Sequence, residues 1–331
     1  MLMKRKIIAI TAIMLVAVIC AAAYILVPGF AYRDKPVNIR PPRPDVEAAY
    51  ANLDDAKKNG GGWYLVMDEN FDGSILDELW HPSPHGKRLT GNWCDNMVRV
   101  ENGEALVYSM RLTDNNCPVC PAEGDFSGGI ETRKIIDGKS APTFEQAFGY
   151  FEARVKIPRD EGLWSAFWLQ CNSMGQVGNG GRDGSEIDIY ESSFYNDPGK
   201  VGNAIHWDGY GFWYRSKGNV ADTGRDLYDG YHTYGLLWTP TEYTFYVDGV
   251  PHWSAALGGV SRVPEFLRLT VETHRAEWGP YGQKLGEFIN TRENPSVFHI
   301  DYVRVWQNTE YLPFIQSPDD FKMPFWASFF K

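Results

Sequence analysis

Apolar and polar residues alternate along the centre of this chain, and that alternation restricts the fold more than any other feature. In the segment FGYFEARVKI the apolar members are Phe151, Ala153, Val155 and Ile157. The intervening members are Tyr150, Glu152, Arg154 and Lys156. A period of two is the pattern of a β-strand with one buried and one solvent-facing side. No long helical periodicity competes beyond residue 60, so the sequence predicts an all-β domain.

Two turn signals support this prediction. Asn102-Gly103 separates MVRVE from EALVYSM, and Asp248-Gly249 separates EYTFYV from VPHW. Both dipeptides favour the two-residue turns of β-hairpins. With 331 residues and 44% hydrophobic content, one all-β domain can bury a large core and account for most of the chain.

A second alternating segment, GLWSAFWLQ, separates leucine and phenylalanine from tryptophan. Leu163, Phe167 and Leu169 share one face, which leaves Trp164 and Trp168 together on the other. Paired tryptophans on a polar face indicate the floor of a binding site. Burial between two sheets is the alternative that the alternation leaves open.

The segment GSEIDIYESS concentrates three carboxylates on one predicted strand. Because Ile187 and Ile189 point into the core, Glu186 and Asp188 point away from it. Glu191 has the opposite parity, and a β-bulge near Ile189 or Tyr190 would return it to the face of the other two. The sequence therefore predicts three carboxylates on one concave surface.

Such crowding has a chemical consequence. Three neighbouring carboxylates oppose one another's ionisation, so at least one is expected to hold a proton near neutral pH. A carboxylic acid beside a carboxylate is what glycoside hydrolysis requires. A solvated strand face and a Ca²⁺ site are the alternatives.

The two ends of the chain differ in composition from its centre. Residues 1–27 begin MLMKRK and continue with 21 uncharged residues, which predicts a transmembrane anchor or a signal peptide. The apolar length favours the anchor, whereas the small residues Ala21-Ala22-Ala23 suit a cleaved signal peptide. Either reading exports the remainder, as an anchored or a secreted domain. Residues 28–60 form a predicted Pro- and charge-rich linker with room for one short helix. The predicted all-β domain, with the candidate catalytic carboxylates, is assigned to residues 61–310, and residues 311–331 form an aromatic tail.

Four cysteines follow the N-terminal apolar segment: Cys94, Cys117, Cys120 and Cys171. An even number suits disulfides in an oxidising compartment, although sequence alone does not give the pairing. The stretch Cys-Pro-Val-Cys superficially resembles a redox or zinc motif, but it lies in the loop-like segment NNCPVCPAEG. Structural bridging is the prediction.

The charge and aromatic content restrict the partners. A formal net charge of -10 argues against nucleic acid, which needs clustered Lys and Arg. Aromatic residues make up 15% of the chain, which suits a surface that stacks on flat ligands. A neutral or weakly charged substrate and a monomeric protein are expected.

With these motifs in place, the chain resembles family 16 of the glycoside hydrolases. The signature of that family is Glu-Ile-Asp-Ile, one hydrophobic residue and Glu, which matches residues 186–191. Further segments in the family's order include ENFDGSILDELW, SGGIETRK, YHTYGLLWTPTEYTFYVDG and HIDYVRVW. The resemblance implies a concanavalin A-like jelly-roll β-sandwich with a concave substrate cleft. It also implies a retaining double displacement with Glu186 as nucleophile, Glu191 as general acid and then base, and Asp188 as a supporting residue.

The same resemblance implies further site residues and no cofactor for catalysis. The substrate-binding candidates are Trp164, Trp168, His206, Trp207, Asp208 and Arg133. A structural calcium ion is expected at Glu69, Gly103 and Asp301.

The polysaccharide substrate is expected to be β-1,3-glucan or mixed β-1,3-1,4-glucan. Family members that cleave β-1,3-glucan usually carry a segment like Asn-Leu-Ala-Val-Gly-Gly where this chain has FLRLTVETHRAEW. A galactan of the agar or carrageenan kind is therefore the enzymatic alternative. A lectin-like surface module without turnover is the alternative from another functional class.

Overall fold

A computed structural model describes residues 49–174, 179–256, 259–274, 279, 281–283 and 285–321. These described residues form twenty β-strands, one α-helix and three short 3₁₀ helices. The strands are β1 Trp63–Glu69, β2 His81–Pro82, β3 Gly86–Arg88, β4 Gly91–Trp93, β5 Val98–Glu101, β6 Glu104–Leu112, β7 Gly124–Ser127, β8 Gly129–Glu131, β9 Arg133–Ile136, β10 Lys139–Pro142, β11 Gly149–Lys156, β12 Leu163–Gln170, β13 Glu186–Ser192, β14 Lys200–Trp207, β15 Arg215–Asp222, β16 His232–Trp238, β17 Tyr243–Val247, β18 Val250–Ala255, β19 Phe266–Thr273 and β20 Ser296–Asn308. The helix is α1 Leu53–Lys58, and the 3₁₀ helices are Asp95–Met97, Leu312–Phe314 and Pro318–Asp320.

The described strands form two large sheets and a separate β9–β10 pair. The first sheet has seven strands in the order β15-β14-β13-β12-β19-β8-β2. The second has eleven, with β18-β17-β16-β11-β20-β6-β7-β4-β3 in line, β1 paired to β20 and β5 paired to β6. Neighbours are antiparallel except for β4 and β7. The all-β jelly-roll sandwich predicted from sequence is confirmed.

Alternation along each strand builds the core between the two sheets. Phe167 and Leu169 of β12 pack in one cluster with Phe151 and Val155 of β11, and all four are fully buried. Burying such side chains contributes roughly 1.5–3 kcal/mol each, so this cluster fixes which face of the seven-stranded sheet remains open. The hairpin turns are as predicted: Asn102 and Gly103 both have positive φ, as have Asp248 and Gly249.

One prediction for β11 is wrong. Tyr150 and Glu152 were expected to face solvent, but both are buried. Tyr150 packs in a second cluster with Tyr246 and Trp306, and Glu152 accepts a hydrogen bond from Tyr302 at 2.9 Å. Aromatic residues thus cover the outer face of the larger sheet at this point, a tertiary contact that strand alternation does not reveal.

The end of the predicted linker is bound to the domain. Tyr50 donates a backbone hydrogen bond to Trp63 and accepts one from Leu65, at 2.9 and 3.0 Å. Helix α1 follows, with the Asn52 side chain accepting from the backbone of Asp55 at its N-terminus. At the other end of the domain, Tyr311 packs edge-on against Trp63.

The N-terminal anchor or signal segment and the last ten residues of the aromatic tail lie outside the described residues. Within the part of the chain that is described, no helix combines the length and apolar character needed to cross a membrane.

Candidate active site

A cavity of about 740 Å³ lies on the open face of the seven-stranded sheet. Five neighbouring strands of that sheet, β19, β12, β13, β14 and β15, each contribute side chains to its lining. Their opposite faces carry core residues such as Leu269, Phe167 and Ile187. The alternation that buries one face of the sheet therefore presents the other face to the cavity.

A β-bulge in β13 brings the three carboxylates together. Phe167 of β12 pairs with Tyr190, and the next residue, Trp168, pairs with Asp188, so Ile189 has no partner on β12. Ile189 and Tyr190 both enter the core, and Glu191 returns to the cavity. The predicted bulge is thus present, and Glu186, Asp188 and Glu191 all line one cavity.

Glu186 is held through one of its two carboxylate oxygens. Oε2 accepts hydrogen bonds from the Tyr210 hydroxyl and from Gln170 Nε2, the latter at 3.1 Å. Oε1 lies 3.7 Å from His206 Nε2. Burial, followed by the negative charge of Asp188, raises the pKa of Glu186 to about 7, while His206 and Tyr210 act to lower it.

His206 joins two of the carboxylates. Its Nε2 lies 3.0 Å from Asp188 Oδ2, and its Nδ1 contacts the hydroxyl of Tyr214. Burial acts to lower the pKa of His206, but the contact with Asp188 and the charges of both carboxylates outweigh it and raise that pKa to about 10. The imidazolium therefore balances negative charge beside Glu186 at neutral pH.

Glu191 is more deeply buried than Glu186 and has a different partner. Its Oε2 accepts a hydrogen bond from the Tyr281 hydroxyl. Burial, and then the charge of Asp188, raise the pKa of Glu191 well above its usual range. Its surroundings therefore favour the protonated form of Glu191 more strongly than that of Glu186.

Tyr281 can reach Glu191 because a neighbouring strand residue lacks a side chain. A Cβ on Gly202 of β14 would lie 2.3 Å from the Tyr281 ring. Gly202 also pairs with Glu191 across the two strands. This glycine therefore provides the space in which the tyrosine ring lies.

Both predicted tryptophans of β12 line the cavity. Trp168 is 7% exposed and donates through Nε1 to Thr270 Oγ1 at 3.0 Å. Trp164 lies two positions from Ala166, and its ring stacks on that of His274 at 6.3 Å. The binding-floor interpretation thus fits their positions, and burial between the sheets does not.

Strand β19 supplies three polar residues to the same cavity. Arg268, Thr270 and Glu272 alternate with buried Leu269 and Val271. These positions lie in FLRLTVETHRAEW, the segment in which this chain departs from the β-1,3-glucanase pattern. The sequence difference from the β-1,3-glucanase pattern therefore includes side chains that line the cavity.

A second arginine, Arg88 of β3, completes this wall of the cavity. It pairs with Glu272 and lies 4.4 Å above the ring of Trp93. Arg268 lies 2.7 Å from Glu131 and stacks 3.9 Å above the ring of Trp168. Each guanidinium is thus neutralised by a carboxylate while contacting an indole ring.

Three predicted substrate-binding residues are not in the cavity lining. Trp207 follows His206 on β14 and, by alternation, points into the core, where it is 4% exposed. Asp208 ends that strand in a left-handed conformation and is also buried. Arg133 pairs with buried Glu131 and covers the ring of Phe266. The structure thus places these three outside the cavity lining, and their part in substrate binding stays a prediction from resemblance.

The predicted calcium residues make other contacts. Asp301 pairs with Arg154, and Glu69 accepts a backbone hydrogen bond from Phe71 at 2.6 Å. Gly103 occupies the β5–β6 turn. Among the described residues, neither Glu69 nor Asp301 belongs to a cluster of three potential ligand side chains, and calcium remains a prediction from resemblance.

Sequence reasoning missed several polar residues of the site. Gln170 and Arg268 continue the cavity-facing alternation of their strands, so the pattern could have found both. Tyr210, Tyr214 and Tyr281 come from loops, where no periodicity indicates direction. Only the tertiary structure brings these hydroxyls to the carboxylates and the imidazole.

Comparison with known proteins agrees with this arrangement. The family described as "Glycosyl hydrolases family 16" matches residues 87–257, just over half of the chain. An endo-1,3-1,4-beta-glycanase of Rhizobium meliloti (strain 1021) is 31% identical over 193 residues, which are 56% of this chain and 38% of that protein. Beta-porphyranase B of Zobellia galactanivorans is 25% identical over 270 residues, which are 74% of this chain and 85% of that protein.

Solved structures share the fold. The catalytic domain of an endo-1,3-beta-glucanase (laminarinase) from Thermotoga petrophila RKU-1 superposes with a TM-score of 0.57 at 24% identity, covering 75% of this chain and 99% of that one. The chain spans little more than a third of the Rhizobium meliloti relative's length. The match to the family itself runs from β3 to β18 and includes the β13 carboxylates. This chain therefore belongs to the glycosyl hydrolases of family 16.

Proposed function

We propose that this protein is a retaining, endo-acting glycoside hydrolase that cleaves β-1,3-glucan or mixed β-1,3-1,4-glucan by double displacement. The observation that carries the proposal is the gathering of Glu186, Asp188 and Glu191 in one cavity, with Glu191 the more strongly protonated of the two glutamates. An acid and a carboxylate in one cleft are the two groups that the reaction needs.

In the first step Glu191 donates its proton to the glycosidic oxygen while Glu186 attacks the anomeric carbon. Oε2 of Glu186 already accepts two hydrogen bonds, so Oε1 is the oxygen available to form the bond to the sugar. The His206 imidazolium lies beside Oε1 and compensates the charge of the glutamate, while Asp188 pairs with His206 and keeps the imidazole in place. The step ends with a glycosyl ester on Glu186 and a released leaving-group sugar.

In the second step Glu191 changes from general acid to general base because Glu186 has lost its negative charge. Esterification removes the negative charge of Glu186, which is one of the causes that raise the pKa of Glu191. Glu191, now deprotonated, accepts a proton from water as the water attacks the anomeric carbon. Hydrolysis of the ester regenerates Glu186, and two inversions give overall retention.

Endo-action is supported by the extent of the cavity. Five adjacent strands contribute to it, and at ~4.8 Å between strands the lining spans ~19 Å, which accommodates several sugar residues. Trp164 and Tyr210 provide aromatic faces along this span, and Trp168 lies beneath Arg268 in the floor.

A galactan is the second candidate substrate, and a specific observation favours it. Arg88 and Arg268 line the cavity, and the relative that covers 74% of this chain is named a porphyranase. An arginine beside an indole suits a sulfated or acidic sugar. The pairing of both arginines with Glu272 and Glu131 weakens that attraction, and the glucan therefore remains the first candidate.

The test is a substrate screen with product stereochemistry. The purified protein is incubated with laminarin, lichenan, agarose and carrageenan, and products are separated by thin-layer chromatography. We expect a ladder of oligosaccharides from laminarin or lichenan, with the β-anomer appearing first in the ¹H NMR spectrum. A ladder from a galactan alone would select the second candidate. Glycan binding without any product over long incubation would indicate a lectin and contradict the enzymatic proposal.

The pH dependence of kcat/KM gives a second prediction. Activity requires ionised Glu186 and protonated Glu191, so the profile should be bell-shaped, with its acid limb near pH 7, the pKa of Glu186. Because these groups interact, the two limbs report macroscopic values of the whole group.

Two tyrosine variants should shift opposite limbs of that profile. Tyr210→Phe removes a hydrogen bond that lowers the pKa of Glu186, so the acid limb moves to higher pH. Tyr281→Phe removes the corresponding bond to Glu191, so the basic limb moves to higher pH. If both variants instead scaled the profile down without moving either limb, these assignments would fail.

We also propose that the reaction takes place outside the cytoplasm. The uncharged segment within residues 1–27 is the feature that supports export, whether it anchors the protein or is cleaved. An extended polysaccharide is a substrate that a cell meets outside its membrane.

A further inference from the structure

Three cysteine sulfurs and one imidazole meet on the side of the domain where β3 begins and β4 ends. One ligand atom from each of His85, Cys94, Cys117 and Cys120 lies within 4.8 Å of the others. His85 Nδ1 is 3.3 Å from Cys120 Sγ and 3.9 Å from Cys117 Sγ. The structure joins Cys94 and Cys120 as a disulfide and leaves Cys117 as a free thiol.

This donor set is that of a structural zinc site. Zinc prefers four tetrahedral ligands, and three cysteines with one histidine are a common combination. Cys117 and Cys120 have the Cys-x-x-Cys spacing that places two thiolates on one ion. A disulfide between Cys94 and Cys120 uses only two of the four groups, and the Cys117 thiol and the His85 imidazole lie beside it.

The environment of His85 is a second, independent observation. Its other ring nitrogen, Nε2, lies 3.4 Å from Asp95 Oδ2. Histidines that bind a metal nearly always donate their second ring N–H to a carboxylate or carbonyl, which fixes the ring and its tautomer. Asp95 therefore holds His85 with Nδ1 directed at the sulfurs.

The loop that carries Cys117 is also fixed in place. Asn115 Oδ1 accepts from the backbone of Cys117 at 3.3 Å and from Asn96 Nδ2 at 2.9 Å. Asn96 is the neighbour of Asp95 in the 3₁₀ turn that follows Cys94. The two segments that supply the sulfurs are thus linked by hydrogen bonds that do not involve sulfur.

We propose that His85, Cys94, Cys117 and Cys120 bind a zinc ion in the reduced protein. Zinc binding releases protons from the three thiols and involves no change in their oxidation state. Formation of the Cys94–Cys120 bridge instead removes two electrons and two protons from those residues and requires an external oxidant, such as the disulfide of an oxidising dithiol protein. The two states are therefore alternatives, and the bridge excludes the zinc site.

The zinc site would support one wall of the cavity. Trp93 directly precedes Cys94, donates through Nε1 to the Val271 carbonyl at 2.9 Å, and carries the guanidinium of Arg88 on its ring. A metal tying β4 to the Cys117–Cys120 loop and to His85 would hold Trp93 and Arg88 in place. The expected role is structural, with no part in the chemical step.

The test begins with the unmodified full-length chain. The protein is purified with a phosphine reductant, and its zinc content and intact mass are measured. We expect about one zinc per chain and the mass of the fully reduced polypeptide. After replacement of zinc by Co²⁺, the visible spectrum should carry the d–d bands of a tetrahedral thiolate site. Thiol titration should reveal the three cysteines only after a chelator is added.

Variants separate zinc binding from a disulfide. Cys117→Ser and His85→Gln should abolish stoichiometric zinc and the cobalt spectrum, whereas Cys171→Ser, a matched thiol at a distant buried position, should retain both. If Cys94 and Cys120 instead form only a disulfide, the Cys117→Ser variant should have the melting temperature of the unmodified protein. A reductant should then lower the melting temperature of both proteins. Absence of zinc and cobalt binding by the reduced unmodified chain, or binding that survives Cys117→Ser, would overturn the proposal.

Discussion

Glu186→Gln and Glu191→Gln each lower kcat on polysaccharide by at least ~10²-fold, the scale of losing a general acid-base group or a nucleophile. Each change is isosteric and removes one ionisable group, so the fold and the pocket shape should be retained. The measurement is reducing-end release on the substrate that the screen selects. Glu101→Gln, at an exposed position distant from the cavity, is the matched control and should leave kcat unchanged.

The two glutamates are distinguished by their alanine variants with added azide. In Glu191→Ala the ester on Glu186 still forms from an activated aryl glycoside, and azide then attacks it to give a β-glycosyl azide. In Glu186→Ala azide attacks the glycoside directly, so the product is the α-glycosyl azide. Exchange of these two stereochemical outcomes would reverse the roles, and undiminished hydrolysis in either glutamine variant would remove that residue from the mechanism.

The architecture and the three carboxylates could be predicted from sequence because both follow from strand parity. Ile187 and Ile189 set the direction of β13, and only an extra residue between Asp188 and Glu191 allows the third acid to face its partners. The same parity argument applies to β14. His206 faces the cavity there, so the next residue, Trp207, points into the core. Its assignment to the cleft came from resemblance and conflicted with the alternation of its own strand.

The rest of the site depends on contacts that a linear pattern does not contain. Tyr210 and Tyr281 belong to loops, yet they donate to the two catalytic candidates and influence their pKa values. Tyr150 and Glu152 have the alternation of a solvent-facing strand surface but are covered by aromatic side chains. Local pattern therefore fixes which way a strand residue points, whereas what covers it depends on segments distant in sequence.

Glu131 connects the stability of the fold to the position of Glu186. It is fully buried, and its carboxylate lies 2.7 Å from Arg268 Nε and 2.9 Å from Arg133 Nη2. Arg268 donates to Gln170 at 3.2 Å, and Gln170 in turn donates to Glu186. Burial is the main cause that lowers the pKa of Arg268, to about 10, and the guanidinium is still charged at neutral pH.

Glu131→Gln should therefore destabilise the protein by ~3–5 kcal/mol, because Arg133 and Arg268 both lose the carboxylate with which they pair while the side-chain volume stays the same. The measurement is the free energy of unfolding from denaturant titration. Adding Arg268→Met to this variant removes the more deeply buried unpaired cation and should recover a large part of the loss, since an apolar side chain of similar length can pack on Trp168. Asp114→Asn, which breaks an exposed pair with Arg292, is the control and should change stability little. A Glu131→Gln variant as stable as the unmodified protein would mean that the two arginines are solvated rather than held by Glu131, and the proposed connection from the core to Glu186 would fail.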